Sequence, residues 1–212
     1  MKILVVDTCG GFGSVALAEG SRVVAEKKIG GRRFAEELVP AVGELLSGAG
    51  LRVAELDVIG VVRGPGSFTG LRIGLSAVKG LSDASGVRVV AVSRLAVMAR
   101  MAGGETVHAV MDGGRGEFYH GLYRGLECVS EGLLAAEALR AAVADEGAEV
   151  IISEEKLVDV LPAARLITEP VASDALALVL GMVKRGEFVE LGALDGNYLR
   201  RTETIYAKPG VA

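Results

Sequence analysis

Three short stretches hold side chains able to do chemistry. Asp7-Thr8-Cys9-Gly10-Gly11 sets a carboxylate and a hydroxyl beside a glycine turn. A carboxylate there can hold a metal–water shell or face a phosphate, and the turn's backbone N–H groups can bind an anion. A plain hairpin turn, with Asp7 and Thr8 bonded to nearby backbone, uses the same residues. The second stretch is Gly64-Pro65-Gly66-Ser67-Phe68-Thr69-Gly70-Leu71-Arg72-Ile73-Gly74. Ser67 or Thr69 can cap a following helix, and Gly64 and Gly66 let another backbone approach. The helix start can attract an anion. The stretch is not a Walker A loop, and three residues separate Gly66 from Gly70, which breaks the dinucleotide fingerprint. The third is Asp112-Gly113-Gly114-Arg115-Gly116-Glu117. Its two acids and one arginine predict a solvated hairpin tip with a local ion pair worth under about 1 kcal/mol.

Gly70, Gly74, Ala77 and Leu81 recur at helical spacing and share one face. Glycine inside a helix costs about 1 kcal/mol relative to alanine, so a packing gain must offset it. Either the chain's own sheet or a partner helix supplies that gain. His108 and His120 lie twelve residues apart in strand-like segments, without metal-ligand spacing, and a structural role is expected. Cys9 and Cys128 are too few for a disulfide framework or a structural zinc site. No Gly-x-Ser-x-Gly elbow or His-Glu-x-x-His pair is present.

The elements that must position these residues are legible. Strands are expected at Lys2–Asp7, residues 13–18 and Arg22–Ile29, as an antiparallel meander. A helix follows at 34–49, which Pro40 should start or kink. Then come strand Val58–Val62, a helix from the glycine-rich stretch to Ser85, strand Arg88–Val92 and helix Arg94–Ala102. After a break at 103–105, strands are expected at 107–112 and 117–123, a helix at 133–145 and a strand at 150–153. A short helix at 155–161, a strand near 166–167 and a helix at 173–185 complete the reading. This order implies α/β layers with helices on the faces of mixed sheets. The halves also echo each other: at an offset of 105, Asp7 meets Asp112, Gly11 meets Gly116, Leu17 meets Leu122 and Gly20 meets Gly125. Two subdomains are expected, residues 1–104 and 105–212, with the C-terminal segment returning towards the first.

Composition narrows the classes. Half of the 212 residues are apolar and a quarter charged, which excludes disorder. The longest apolar run, residues 175–183, is half of the roughly 18 residues a membrane span needs. The thirty glycines lack collagen's period, and nine aromatics make a poor stacking platform for single strands. A net charge of −4 is the wrong sign for a protein whose main task is gripping phosphate backbones. The opening residues 1–6 read as a strand rather than a signal peptide, so a reducing cytoplasm is expected.

Ile3-Leu4-Val5-Val6-Asp7-Thr8, followed by Ser14-Val15-Ala16-Leu17, resembles the start of the bacterial TsaB (YeaZ) family. The Gly64–Gly74 stretch is similar to that family's hallmark. Val92-Ser93-Arg94-Leu95, Asp112 to Tyr119 and Tyr198-Leu199-Arg200 fall in its order. The resemblance implies an actin-like ATPase fold, a duplicated ribonuclease-H-like architecture. It implies a role in making threonylcarbamoyladenosine (t6A) in tRNA. The family's part is that of a non-catalytic scaffold binding the catalytic paralogue TsaD, which carries a His-x-x-x-His metal site, with the ATPase TsaE joining them. This chain has no His-x-x-x-His. No cofactor of its own is then expected, with ATP and a metal ion on partner subunits. Contact with tRNA comes through the complex, and a homodimer forms when the chain is alone.

Partner binding by the two N-terminal helices would fall on Phe34, Leu38, Gly70, Leu71, Gly74, Ala77, Val78 and Leu81. Anion or nucleotide contacts would fall on Asp7, Thr8, Gly64, Gly66, Ser67, Thr69, Arg72, Asp112, Arg115 and Glu117. No catalytic residue or metal ligand is expected. Gly74→Arg should abolish the complex and spare the fold. Two departures stand out: Arg32-Arg33-Phe34 occupies a place where family members often carry a His, and Gly196-Asn197 one where they usually carry a Pro. The alternatives are an M22-type glycoprotease-like metalloenzyme, opposed by the missing ligands, and a small-molecule kinase of the same fold, left open by Asp7 and Asp112.

Overall fold

The computed structural model describes residues 1–30, 33–144 and 147–200. Arg32 and Asp145, the latter the expected end of a helix, lie outside the described residues. So do the last twelve residues of the 105–212 half.

The first sheet has the order β3-β2-β1-β4-β5. Its strands are β1 (Lys2–Asp7), β2 (Gly13–Glu19), β3 (Arg22–Ile29), β4 (Val58–Val62) and β5 (Arg88–Val92). Strands β1 to β3 form the antiparallel meander, and β4 and β5 add in parallel beside β1. The apolar runs of β1, β4 and β5 are buried on both faces, as parallel strands under two helical layers must be. Helices α1 (Phe34–Gly48) and α2 (Phe68–Ser85) cover one face. The other is covered by α5 (Leu176–Arg185) and the 3-10 turn Ala172–Ala175 that leads into it. Gly60 in β4 has to be glycine, because a Cβ there would lie 2.6 Å from Val179 of α5.

The second sheet repeats the plan. Its strands are β6 (Thr106–Gly114), β7 (Glu117–Arg124), β8 (Glu127–Ala135), β9 (Glu149–Ile152) and β10 (Arg165–Leu166). The order β8-β7-β6-β9-β10 matches β3-β2-β1-β4-β5, with the same antiparallel meander and parallel additions. Asp7 and Asp112 therefore occupy equivalent ends of the two central strands. Helix α3 (Arg94–Ala102) links the sheets and packs on β6, β7 and β9, while α4 (Ala136–Ala142) covers part of β7 and β8.

Three local expectations are corrected and one is narrowed. Of the start or kink expected of Pro40, the start falls away, because the residue lies inside α1. It sits on the exposed side of the helix interior, where only the carbonyl of Glu36 loses its donor. The helix expected at 133–145 begins at Ala136, because residues 127–135 form strand β8 against β7. Its first four residues are exposed, so no apolar alternation announces it, and cross-strand pairing overrides local preference. The short helix at 155–161 is only the 3-10 turn Glu155–Leu157. The last helix begins at Leu176 rather than at residue 173.

Candidate functional site

The three glycine-bearing stretches converge. The cleft between the sheets holds about 400 Å³ and is walled by Gly10-Gly11, Gly66-Ser67 and Asp112-Gly113-Gly114, with Arg94 and Glu169 at its base. Backbone bonds tie the first two stretches together. The Ser67 N–H donates to Cys9 O at 2.8 Å, and Thr8 Oγ1 donates to Gly70 O at 2.7 Å. Arg94 N–H donates to Gly64 O at 2.8 Å, which brings the start of α3 to the same point. Gly66, at φ 153°, could carry no side chain: its Cβ would fall 2.2 Å from Cys9 O. Ser67 caps α2 by accepting from Gly70 N–H at 3.2 Å, and exposed Thr69 does not.

Asp7 is not poised for a metal or a phosphate. Its carboxylate accepts two bonds from Arg94 Nη1, at 2.9 and 2.7 Å, and one from Cys9 N–H at 2.8 Å. Both side chains are buried, 2% exposed each. Burial pushes the Asp7 carboxyl up, and Arg94 opposes it. On Arg94 burial acts against the charge, but the neighbouring acidic groups, Asp7 first, outweigh it and hold the guanidinium ionised. A buried charge demands such a partner. The Cys9 thiol points at Val62 O, 3.2 Å away, and burial pushes it well up, which excludes a ready nucleophile.

Across the cleft the expected pairing around Arg115 does not form. Asp112 meets Lys156 at 2.5 Å and accepts from Gly114 N–H at 2.8 Å, and the Lys156 bond chiefly holds its carboxyl below the usual range. Glu154 accepts from Asp112 N–H at 2.7 Å. Glu117 pairs with Arg200, whose Nη2 donates to Gly113 O at 3.0 Å. Arg115 instead sits in the left-handed region, φ 60°, between Gly114 and Gly116, which share it. Arg94, Glu169, Glu154, Lys156 and Arg200 were not among the expected site residues. The bonds that hold them in place span 42 to 158 positions, and no local spacing reports such distances.

The remaining expected residues lie elsewhere. Arg72 stacks on Phe68, 3.9 Å from the ring centroid, on the outer side of α2. Phe34, Leu38, Val39, Ile73, Ser76 and Ala77 border a largely apolar groove of about 350 Å³ between α1 and α2. Val39 is 54% exposed there, and Phe68 nearby is 56% exposed. Leu71 and Val78 belong to the chain's own core, and Leu81 packs partly against it.

Gly70 and Gly74 face inward. Cβ atoms there would lie 2.1 Å from Thr8 O and 2.2 Å from Thr8 Oγ1. The small face of α2 therefore serves close approach to the end of β1, and the outer groove is left to larger residues. Gly74→Arg is corrected accordingly: it should prevent folding rather than merely remove a partner. Circular dichroism of the purified variant checks this, and a native-like melt would contradict it.

The two histidines do pair. His108 Nδ1 lies 2.8 Å from His120 Nε2, with stacked rings on buried faces of β6 and β7. Burial, and then the neighbouring His108, lower His120 to about 4. Between that value and its ordinary 6.5 the unfolded chain binds the proton and the native chain does not. Stability should thus fall as pH drops from about 6.5 towards 4, by roughly 2–3 kcal/mol between pH 7 and pH 4.5. Denaturant midpoints at both pH values check this: His120→Gln should flatten the slope, and an unchanged slope would contradict it.

The comparisons fit this geometry. The family model for TsaD, tRNA N6-adenosine threonylcarbamoyltransferase, matches residues 21–154, more than half of the chain. The chain is 34% identical over 128 residues to the tRNA threonylcarbamoyladenosine biosynthesis protein TsaB of Escherichia coli, covering 58% of this chain and 55% of that protein. It thus spans about half the length of that relative. The structure of YeaZ from Pseudomonas aeruginosa superposes with a TM-score of 0.81 at 34% identity, over 93% of this chain and 99% of that one. The ethanolamine utilization protein EutJ of Carboxydothermus hydrogenoformans, 14% identical, shares the fold at a TM-score of 0.52, over 84% of this chain and 90% of that one. The fold is the actin-like ATPase architecture of paired mixed sheets flanked by helices.

Proposed function

This chain belongs to the TsaB/YeaZ family, and from that premise we propose that it takes part in forming threonylcarbamoyladenosine on tRNA as a non-catalytic subunit. Its task is to hold a TsaD-type catalytic subunit. The tRNA, ATP and a metal ion are handled by the complex, with a TsaE-type ATPase joining it, and two copies of this chain share the same face when the catalytic subunit is absent.

The observation that carries this reading is the groove between α1 and α2. It is rigid, since both helices are anchored on the first sheet by Phe34, Leu38, Leu71 and Val78. It is apolar and open, with Val39, Ile73 and Ala77 at its rim. Two helices of a partner can complete a bundle there, with the large side chains of each filling the other's grooves. Exposed apolar surface rimmed by polar residues marks such sites.

The cleft supports the non-catalytic half of the reading. The Asp7 carboxylate is committed to Arg94, and Glu169 lies against the first glycine turn. Neither arrangement leaves a free acid to activate a nucleophile, which weighs against the kinase alternative. Among the described residues no group of three or more His, Cys, Asp or Glu is placed to hold a metal ion, and no helix is long and apolar enough to cross a membrane. The test is size-exclusion chromatography of this chain mixed with a TsaD-type subunit. Co-elution is expected, and separate elution at micromolar concentrations would refute the scaffold role.

A further inference from the structure

Residues 194–200 form a strap between the two sheets. The strap leaves the 3-10 turn Leu191–Ala193 with Leu194 held in the first core, 1% exposed. It then crosses the first turn of α2. A Cβ on Gly196 would fall 2.6 Å from Leu71 Cδ2, and the Tyr198 ring packs on Phe68 with centroids 6.0 Å apart. Asn197 ties the strap down on both sides. Its backbone N–H donates to Arg63 O at 2.7 Å, just ahead of the Gly64 loop that leads into α2. Its side-chain Nδ2 donates to Glu131 Oε2 at 2.6 Å, on β8 of the second sheet. Arg200 adds a second tie to that sheet through Glu117 and Gly113 O.

Glu131 is the hub of these ties. Its Oε1 accepts from Tyr123 OH and from Ser93 Oγ, and its Oε2 accepts from Asn197. Burial, and then the Glu131 charge, push the Tyr123 phenol well up, so it stays a donor. Ser93 stands immediately before α3, the helix that links the sheets. One carboxylate thus gathers β7, β8, the start of α3 and the strap.

We propose that the strap couples the second sheet to the partner face of α2, with Glu131 and Asn197 as its positioning residues. The inference rests on the reading of the α1–α2 groove as the seat of a TsaD-type subunit. Coupling between elements is carried by a contiguous chain of hydrogen bonds and packed side chains. Here that chain runs from Ser93 and Tyr123 through Glu131 and Asn197 to Arg63, with Tyr198 resting on Phe68. It ends at the groove, because Phe68 carries the stacked Arg72 and Arg72 borders the groove. A shift of the second sheet therefore pulls on both sides of the Gly64 loop and reorients the first turn of α2.

The test reverses one hydrogen bond. Glu131→Gln keeps an oxygen for Tyr123 and Ser93 but turns an amide NH2 towards the NH2 of Asn197, so it breaks the strap bond alone. Asn197→Asp breaks the same bond from the other side by setting two carboxylates together. The double variant again faces a donor with an acceptor. In the full chain without partner, each single variant should speed backbone hydrogen exchange about tenfold at the Asn197 and Leu71 amides, which are bonded to Arg63 O and Ser67 O. Amides in β1 and β6 should keep the parent rate. Each single variant should also weaken binding of a TsaD-type subunit about fivefold to tenfold. The double variant should recover most of both effects, a rescue that a general loss of stability would not show. If Asn197→Asp does not fold, Asn197→Ala removes the same bond and gives the single-variant readings. Parent-like exchange at Leu71 in the single variants, or faster exchange with unchanged partner affinity, overturns the proposal. A parent chain that binds no TsaD-type subunit refutes the groove reading instead, and the exchange rates still decide whether the strap holds α2.

Discussion

Arg94→Met should destabilise the chain by about 3–5 kcal/mol. For a chain of this size that lowers the melting temperature by roughly 6–20 °C. The substitution removes the positive partner of a carboxylate that is 2% exposed. It leaves Asp7 with one backbone donor, Cys9 N–H, and no cation. Such an acid must either lose its charge or draw water into the junction of β1, the Gly64 loop and α3. The double variant Asp7→Asn with Arg94→Met should recover much of the loss, because replacing both charges removes the unpaired group rather than creating one. A single variant that melts within about 1 kcal/mol of the parent would show that the pair is not the keystone of this junction.

The second large effect concerns the groove. Val39→Glu combined with Ser76→Glu should weaken binding of a TsaD-type subunit by about a hundredfold or more, while the melting temperature stays within a few degrees of the parent. Both positions are exposed on α1 and α2 and border the groove, so the folded monomer tolerates charge there. A partner helix would have to desolvate both charges, and among the described residues Arg72 is the cation that borders the groove. Losses above about 2 kcal/mol at the centre of an interface are the mark of a hot spot, and each tenfold change in affinity corresponds to about 1.4 kcal/mol. Unchanged affinity would move the interface elsewhere.

Much of the fold was readable because the local signals agreed with one another. The buried runs of β1, β4 and β5 and the helical spacing of α1 and α2 announced themselves. The offset of 105 between Asp7 and Asp112 reflected two sheets of the same strand order. Strand β8 was hidden because its exposed half has no apolar alternation and exists by pairing with β7.

The site was legible in its glycines and in Ser67 and Asp112, which line the cleft, but not in the side chains that meet them. The sequence marks where backbone must come close, at Gly66, Gly70 and Gly74, but not what approaches. For Gly74 it is Thr8 rather than a partner helix. The ion pair of Asp7 with Arg94 spans 87 positions. Glu169 reaches Gly11 across 158 positions. These contacts follow from how the helices and the C-terminal segment pack on the sheets, and no short motif encodes them.

The scaffold role is tested most directly by reconstitution. The chain is mixed with a TsaD-type subunit, a TsaE-type ATPase, tRNA, ATP and the enzyme that makes threonylcarbamoyl adenylate, and the modified nucleoside is quantified. Product should form with the parent chain, drop to the level without it when Val39→Glu with Ser76→Glu is supplied, and be absent when the TsaD-type subunit is omitted. Equal product with and without this chain would contradict the account.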